Sequence, residues 1–362
     1  MRILFITAFP PCQKTAGQDY SRRLILDLLE KGHEVTLIYA EYPGHTVELP
    51  DSVKVLGTIH PAFKNCLAKS YFHPFFTRRF DKSVLKLLQT VSADFDMLYF
   101  DFSQVHLYSL SISHPCKVLM CHDVIAQKFS RKGRLQLPWI RRTEGKLLRT
   151  ASMIVTPSKK DRDYIAFTYK LNAEAVNQYL KNGHFDYSGK AVVKNRFCFY
   201  GAWNREENTE ALEWFLFQVY PRLTCDAYFI VIGGGMSDAL LNKISTYKNF
   251  SCLGFVDDPV EEIACCQALI APLHKGAGVK VKVIDALSSG SAVIGTDVAF
   301  EGIEDNAKHP LFFSADSPEE FADILNNWQT VDFSEKQAAA DEFFARYNSN
   351  HFTDLLSVNQ FT

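Results

Sequence analysis

The sequence predicts an α/β protein of two successive open units, each a parallel sheet wrapped by helices. Three observations predict it. The 362 residues exceed a usual single domain and suit two of about 150–200 residues. Short apolar runs, fit for strands buried on both faces, alternate with amphipathic helical stretches. After a break near residues 180–195 the same alternation starts again.

The first half opens with ILFITA (3–8), a continuous apolar run, and the loop PPCQKTAGQ. A helix is predicted from about Asp19 to Lys31, with Leu24, Ile25, Leu28 and Leu29 in one stripe. Gly32 closes it, where a left-handed backbone is cheap for glycine. EVTLIYA (34–40) is the next buried strand, and a crossover of this length makes the two strands parallel. MLYFDF (97–102), KVLMCHD (117–123) and SMIVTPS (152–158) read as further strands, with helices near 78–90, 138–150 and 159–167. LKNGHFDYSGKAVVKN (180–195) has turn residues and weak periodicity, so the junction is placed there. The expected domains are 1–188, joined by a C-terminal helix over 345–362, and 189–344. In the second half RFCFYGA (196–202), YFIVIGG (228–234), FSCLGF (250–255), ALIAPL (268–273) and SAVIGT (291–296) are strands. Helices are expected near 206–220, 236–247, 258–266, 279–289 and 318–328, and one or two over 334–358. Ligands of such sheets bind at the carboxyl ends of the strands, here in a cleft expected between the units.

Composition narrows the class. Hydrophobic residues at 47% and charged ones at 22% are ordinary for a soluble globular chain. No run of 18 apolar residues exists, which excludes an ordinary transmembrane helix. The apolar run Ile3 to Phe9 is short for a signal peptide. Nine scattered cysteines with no C-x-x-C spacing give neither a disulfide framework nor a zinc pattern. Reduced thiols and a cytoplasmic location are the expectation. Residues 1–170 hold 25 basic and 15 acidic residues, a charge of +10, and the remainder carries −12. A basic half suits an anionic partner, whereas ordinary surfaces of opposite sign attracting across a cleft would look the same. YFHPFFTRRFDKSVLKLL (71–88) interleaves aromatics with cations. It is read either as a contact with the inner membrane face or a lipid-linked acceptor, or as an ordinary helix on the core.

Four constellations carry chemistry. In HKGAGVKVKVIDALSSG (274–290), Gly276 and Gly278 precede a helix whose first N–H groups attract phosphate. Lys280 and Lys282 stand at that end, where the helix dipole disfavours cations, and a bound anion accounts for them. Asp285 lies seven residues beyond Gly278, two turns along the helix. In MCHDV (120–124), His122 ends an apolar strand and suits a sugar hydroxyl or a proton, or is a buried structural histidine. In TAGQ (15–18), Gly17 lets backbone N–H groups face a diphosphate. In FYGAWNREENTEAL (199–212), the Arg205 fork suits phosphate, and Asn208 is a candidate helix cap.

With these residues in view, the chain resembles the retaining GT-B glycosyltransferases of glycosyltransferase family 4, bacterial in style. The similar stretches are RILFITAFPP, GHEV, CHDV, LLRTASMIVTPSKKDRDYI, KNGHFDY, YGAWNREENTEALEWFLFQVYPRL, IGGG, LGFVDD and GAGVKVKVIDALSSGSAVIGTDVAFEGI. The resemblance implies two Rossmann-like domains facing each other across a cleft, the first for the acceptor and the second for a nucleotide sugar. It implies His122 on the transferred sugar, and Gly17 near the donor phosphates. Arg205 and Lys282 would be the basic pair on the diphosphate, with Gly276, Ala277, Gly278, Val279 and Lys280 around it. Gly254, Phe255 and Val256 would lie beside the nucleobase, and Asp285 on the ribose. No metal or other cofactor is implied. The donor would be a UDP- or GDP-sugar and the acceptor a glycan, a lipid-linked chain or a protein. The family often has two glutamates eight positions apart; here Ala277 and Asp285 stand there, and Ala16–Gly17 replaces a common glycine pair. A non-catalytic sugar-binding subunit and a nucleotide-sugar epimerase are the competing readings. Nucleic acid is not an expected partner, since the basic half carries no motif for it.

Overall fold

The computed structural model describes residues 1–61, 69–132, 135–180, 184–276, 278–303, 310–330 and 335–358. The chain divides into two compact units, Met1–Tyr179 with Asn350–Thr362, and Leu180–Ser349.

The first unit runs β1 (Arg2–Thr7), α1 (Ala16–Glu30), β2 (Glu34–Ala40), β3 (Lys54–Ile59), α2 (Pro74–Thr77), α3 (Lys82–Val91), β4 (Met97–Asp101), β5 (Lys117–Met120), α4 (Ile125–Lys132), α5 (Leu137–Leu148), β6 (Met153–Thr156), α6 (Lys159–Tyr169) and β7 (Glu174–Ala175). Its strands form one sheet in the order β3-β2-β1-β4-β5-β6-β7, and every pairing is parallel. Strand alternation builds a core on each face. Ile3 and Phe5 point to the side covered by Leu24, Ile25 and Leu28 of α1, while Leu4 and Ile6 join Phe76, Phe100 and Ile140 on the other. The segment 71–88 is not one amphipathic helix lying on a surface. It is broken into α2 and α3, and Phe72, Phe76, Phe80, Val84 and Leu88 face the core.

The second unit runs α7 (His184–Tyr187), β8 (Arg196–Tyr200), α8 (Glu206–Trp214), β9 (Tyr228–Ile232), α9 (Asp238–Ile244), β10 (Phe250–Gly254), α10 (Pro259–Ala264), β11 (Ala268–Ala271), α11 (Val281–Ser288), β12 (Ala292–Gly295), β13 (Phe312–Ser314), α12 (Pro318–Asn326) and α13 (Lys336–Tyr347). Its all-parallel sheet has the order β10-β9-β8-β11-β12-β13. Tyr187 packs on Val260 and Ala264 of α10, which places the start of this unit before β8. The last helix, α14 (Phe352–Val358), belongs to the first unit. Phe352 is fully buried against Tyr99, and Lys31 reaches Thr353 and Asp354 at 2.7 and 3.0 Å.

The helix α4 has no local signal for its start. Glu144 of α5, which is 2% exposed, supplies the cap instead. Its carboxylate accepts from the N–H groups of Ile125 and Ala126, at 2.7 and 3.1 Å, and from the Tyr169 hydroxyl. Burial pushes this carboxyl up to about 7 from 4.5, against the three donors that favour its charge. The folded protein therefore holds the Glu144 proton to higher pH than the unfolded chain does. That stability is complete below pH 4.5 and is lost as pH rises through about 7. Glu144→Ala strands three donors and should lower stability by about 2–4 kcal/mol in urea unfolding. Glu144→Gln should flatten the wild-type slope across that pH window; an unchanged slope would contradict the assignment.

Candidate active site

The first candidate group sits at the carboxyl edge of the first sheet. β4 and β5 are neighbours, so Asp101, the last residue of β4, stands beside the turn that follows Met120. His122 lies in that turn, and its Nε2 is 2.8 Å from Asp101 Oδ1. The other carboxylate oxygen of Asp101 accepts from Ser21 Oγ of α1 and from Thr7 Oγ1 at 3.1 Å. Asp101 is fully buried and the His122 side chain is 12% exposed. In the neutral imidazole, a carboxylate on Nε2 holds the proton there and leaves Nδ1 as an acceptor. Tyr20 meets the imidazole edge-on at 5.0 Å, and Phe102 stacks on it at 4.0 Å.

Phe102 is held at φ 69°, a strained backbone for an aromatic residue, and this places its ring between His122 and Gly17. Gly17 is in the first turn of α1, behind the Thr15 N-cap, and not in a loop. A Cβ there would stand 2.9 Å from the Phe102 ring, so glycine is required for this stack. His106 is the contrasting histidine. It is buried, bonds Met120 O at 3.1 Å, and burial pushes its pKa down to about 4, so it stays neutral and structural.

The second group sits at the carboxyl edge of the second sheet. Gly201 N bonds Ile232 O, Trp203 N bonds Gly234 O, and Gly233 N bonds Gly254 O at 2.7 Å. These ties draw together the loops after β8, β9 and β10. Gly233 has φ 117°, and a Cβ on it would lie 2.0 Å from Gly201 O, so no side chain fits. After β10, Gly254 takes φ 71°. Phe255 is 64% exposed, while Val256 packs on the core.

After β11 the chain passes Gly276 and Gly278, at φ 123° and 72°, into α11. Ala277 lies outside the described residues, and Val279 packs on the core. Lys280 is the N-cap of α11, and no side chain caps that helix. Its ammonium folds back on Gly278 O at 2.6 Å and lies 3.8 Å from Glu301. Lys282, in the first turn, donates to Tyr200 O at 2.9 Å and to Asn208 Oδ1 at 3.0 Å. Burial pushes its pKa down to about 8, and the neighbouring charges of Lys280 and Arg205 push the same way. Three cations therefore act at one helix start, and the relief that Glu207 gives is smaller than the push from Lys280 alone. Arg205 is exposed and is itself the N-cap of α8; Asn208 is not the cap, because its amide reaches Ala202 O and its oxygen holds Lys282. Asp285 is buried in the middle of α11 at 6% exposure, not on the surface. Among the described residues no group of three or more His, Cys, Asp or Glu side chains is placed to hold a metal ion.

Sequence reasoning singled out His122, Arg205, Lys280 and Lys282 but missed Asp101, Phe102 and Glu301. A carboxylate ending the otherwise apolar strand MLYFD was the available signal for Asp101.

Family models match each half of the chain. The model described as Glycosyltransferase Family 4 matches residues 18–177, and the one described as Glycosyl transferases group 1 matches 194–329. No curated protein sequence matches the chain. Among solved structures, Anabaena Alr3699/HepE in complex with UDP aligns with a TM-score of 0.68 at 13% identity, over 99% of this chain and 100% of that one. WaaG, a glycosyltransferase involved in lipopolysaccharide biosynthesis, aligns with 0.66 at 14%, over 99% and 100%. A TarM mutant from S. aureus, in complex with Fondaparinux, alpha-GlcNAc-glycerol and UDP, aligns with 0.73 at 10%, over 99% and 98%. At such identities the structural likeness establishes the fold, and the two sequence models supply the family character. The chain is a glycosyltransferase of the GT-B fold, family-4-like in its sequence.

Proposed function

We propose that the protein moves a sugar from a UDP- or GDP-sugar to a hydroxyl of a glycan, lipid-linked or protein acceptor, without a metal ion and with retention at the anomeric carbon. The observation that carries this is the meeting of Lys280, Lys282 and Arg205 at the uncapped start of α11. A cation at that end works against the helix dipole, and a bound diphosphate reverses the balance. Lys282 and Arg205 then take the leaving diphosphate as its charge grows, which is stabilisation by preset charges. Gly254, Phe255 and Val256 would lie along the base, Asp285 would serve the ribose, and Gly17 with the start of α1 would approach the phosphates. His122, oriented by Asp101, would receive a hydroxyl of the transferred sugar on Nδ1.

The bond from the anomeric carbon to the phosphate oxygen breaks. A bond to the acceptor oxygen forms on the same face, and the acceptor proton passes to the leaving phosphate. HepE and TarM were each solved with UDP, so uridine is the first base to test. A thermal-shift screen of nucleotide sugars in chelator tests the reading, since a donor that binds the folded state raises the midpoint by mass action. A rise for at least one UDP- or GDP-sugar is expected. Stabilisation only after magnesium or manganese is added would contradict metal-free binding.

A further inference from the structure

A second charged feature lies on the outer face of α5, apart from the donor chemistry. A groove of about 590 Å³ is lined by Tyr71, Arg141, Arg142, Lys146, Arg149 and Tyr169, among others. Helices in this unit run back from the carboxyl edge of the sheet. Arg149, just past α5, and Tyr169, the last residue of α6, therefore lie toward the end opposite His122.

The cations of this groove are not balanced locally. From Val124 to Thr150 the sequence has eight basic residues and one acid, and that acid is the inward-facing Glu144. Among the described residues no carboxylate forms an ion pair with Arg141, Arg142, Lys146 or Arg149. Helix carbonyls account for Arg149, which bonds Gly145 O and Tyr169 O at 2.8 and 3.1 Å. They do not account for the others. Arg142 lies over the Tyr71 ring and donates to its hydroxyl, and Lys146 stands 5.3 Å from the centres of the Tyr71 and Phe72 rings. These contacts hold the charges in place without neutralising them.

Exposed side chains with apolar bodies stand on the same segments. Leu135, just before α5, is fully exposed. Tyr71 and Trp139 are also exposed, and the indole N–H of Trp139 bonds Tyr71 O at 3.1 Å. A soluble phosphate would use the cations and leave these apolar groups in water. An anionic bilayer surface uses both, with phosphates on the cations and the apolar and amphipathic tips at the acyl boundary.

We propose that this face of α5 docks the protein on an anionic phospholipid surface. The contact lies on α5 and Tyr71, while the aromatics that follow Tyr71 serve the core. The full chain should co-sediment with phosphatidylglycerol-containing vesicles and not with pure phosphatidylcholine, and binding should fall as salt rises. The triple variant Arg141→Glu/Arg142→Glu/Lys146→Glu should bind about a hundredfold more weakly, at roughly fivefold for each basic residue. Its unfolding midpoint should stay near that of the wild type. Leu135→Ser/Trp139→Ser is the second variant; it should also weaken binding, and it carries the test if the charge-reversed chain does not fold. Equal binding to both vesicle types, no binding to anionic vesicles at low salt, or undiminished binding by the folded variants would overturn the proposal. Release from vesicles by inorganic phosphate at constant ionic strength would overturn it too, because it would mark a soluble-anion site.

Discussion

His122→Ala should lower turnover by about a hundredfold to a thousandfold while nucleoside diphosphate affinity stays within about twofold. The imidazole stands in the first unit at the end of β5, and the cations proposed for the diphosphate, Lys282 and Arg205, stand in the second. Its loss therefore removes an interaction with the sugar and leaves the phosphate contacts alone. Asp101 makes the prediction sharper. It acts through His122 by holding Nε2–H at 2.8 Å, so Asp101→Asn should leave the histidine in place but free its tautomer. A smaller loss in kcat than for His122→Ala is expected, with KM little changed. Steady-state rates with calorimetric diphosphate binding give both numbers. Parent-like turnover in His122→Ala would end this assignment.

Lys282→Ala should weaken diphosphate binding about tenfold to a hundredfold, because a charge-assisted hydrogen bond is worth roughly 1.5–3 kcal/mol. Turnover should fall further, since leaving-group charge grows toward the transition state. Lys280 is the control. Its ammonium is held by Gly278 O and faces Glu301, so Lys280→Ala should have the smaller effect on binding. Equal and small effects of the two substitutions would mean that this turn does not hold the diphosphate.

The apo protein adds a pH signature. With Lys282 pushed down to about 8 from 10.5, the unfolded chain binds its proton through a window in which the folded chain does not. Stability therefore gains an increment as pH rises across that window, and Lys282→Met should lack it. At neutral pH the cost of the buried charge opposes the two bonds it makes to Tyr200 and Asn208. Apo stability of the variant should then change by no more than about 1 kcal/mol. Diphosphate affinity should fall as pH rises through about 8, because the contact needs the ammonium.

The central strands were legible because strands buried on both faces must be continuous apolar runs. β1, β2, β4, β5, β6, β8, β9, β11 and β12 are such runs in the sequence. Of the edge strands, β10 was read from FSCLGF, whereas β3, β7 and β13 were not legible. They are short, and their half-exposed residues carry no clear period. The helix α4 was missed for a different reason: its cap comes from Glu144, which no local pattern reveals. The extension of α1 back to Ala16 was missed because the Thr15 cap precedes an alanine and a glycine.

At the candidate site, lysines at an uncapped helix start were visible from spacing alone. The Asp101 partner of His122 was not, since the two are 21 residues apart and meet only through parallel pairing of β4 with β5. The strained Phe102 that links Gly17 to His122 has no sequence signature, because only the fold shows its φ.

The most direct test of the account is release of nucleoside diphosphate from UDP- and GDP-sugars by the purified chain, measured in the presence of a metal chelator with a panel of glycan and lipid-linked acceptors. Acceptor-dependent release from at least one of these donors is expected, undiminished by the chelator and nearly abolished in both His122→Ala and Lys282→Ala. Tight binding of a nucleotide sugar with no release for any acceptor, or release that both variants retain at the parent rate, would contradict it.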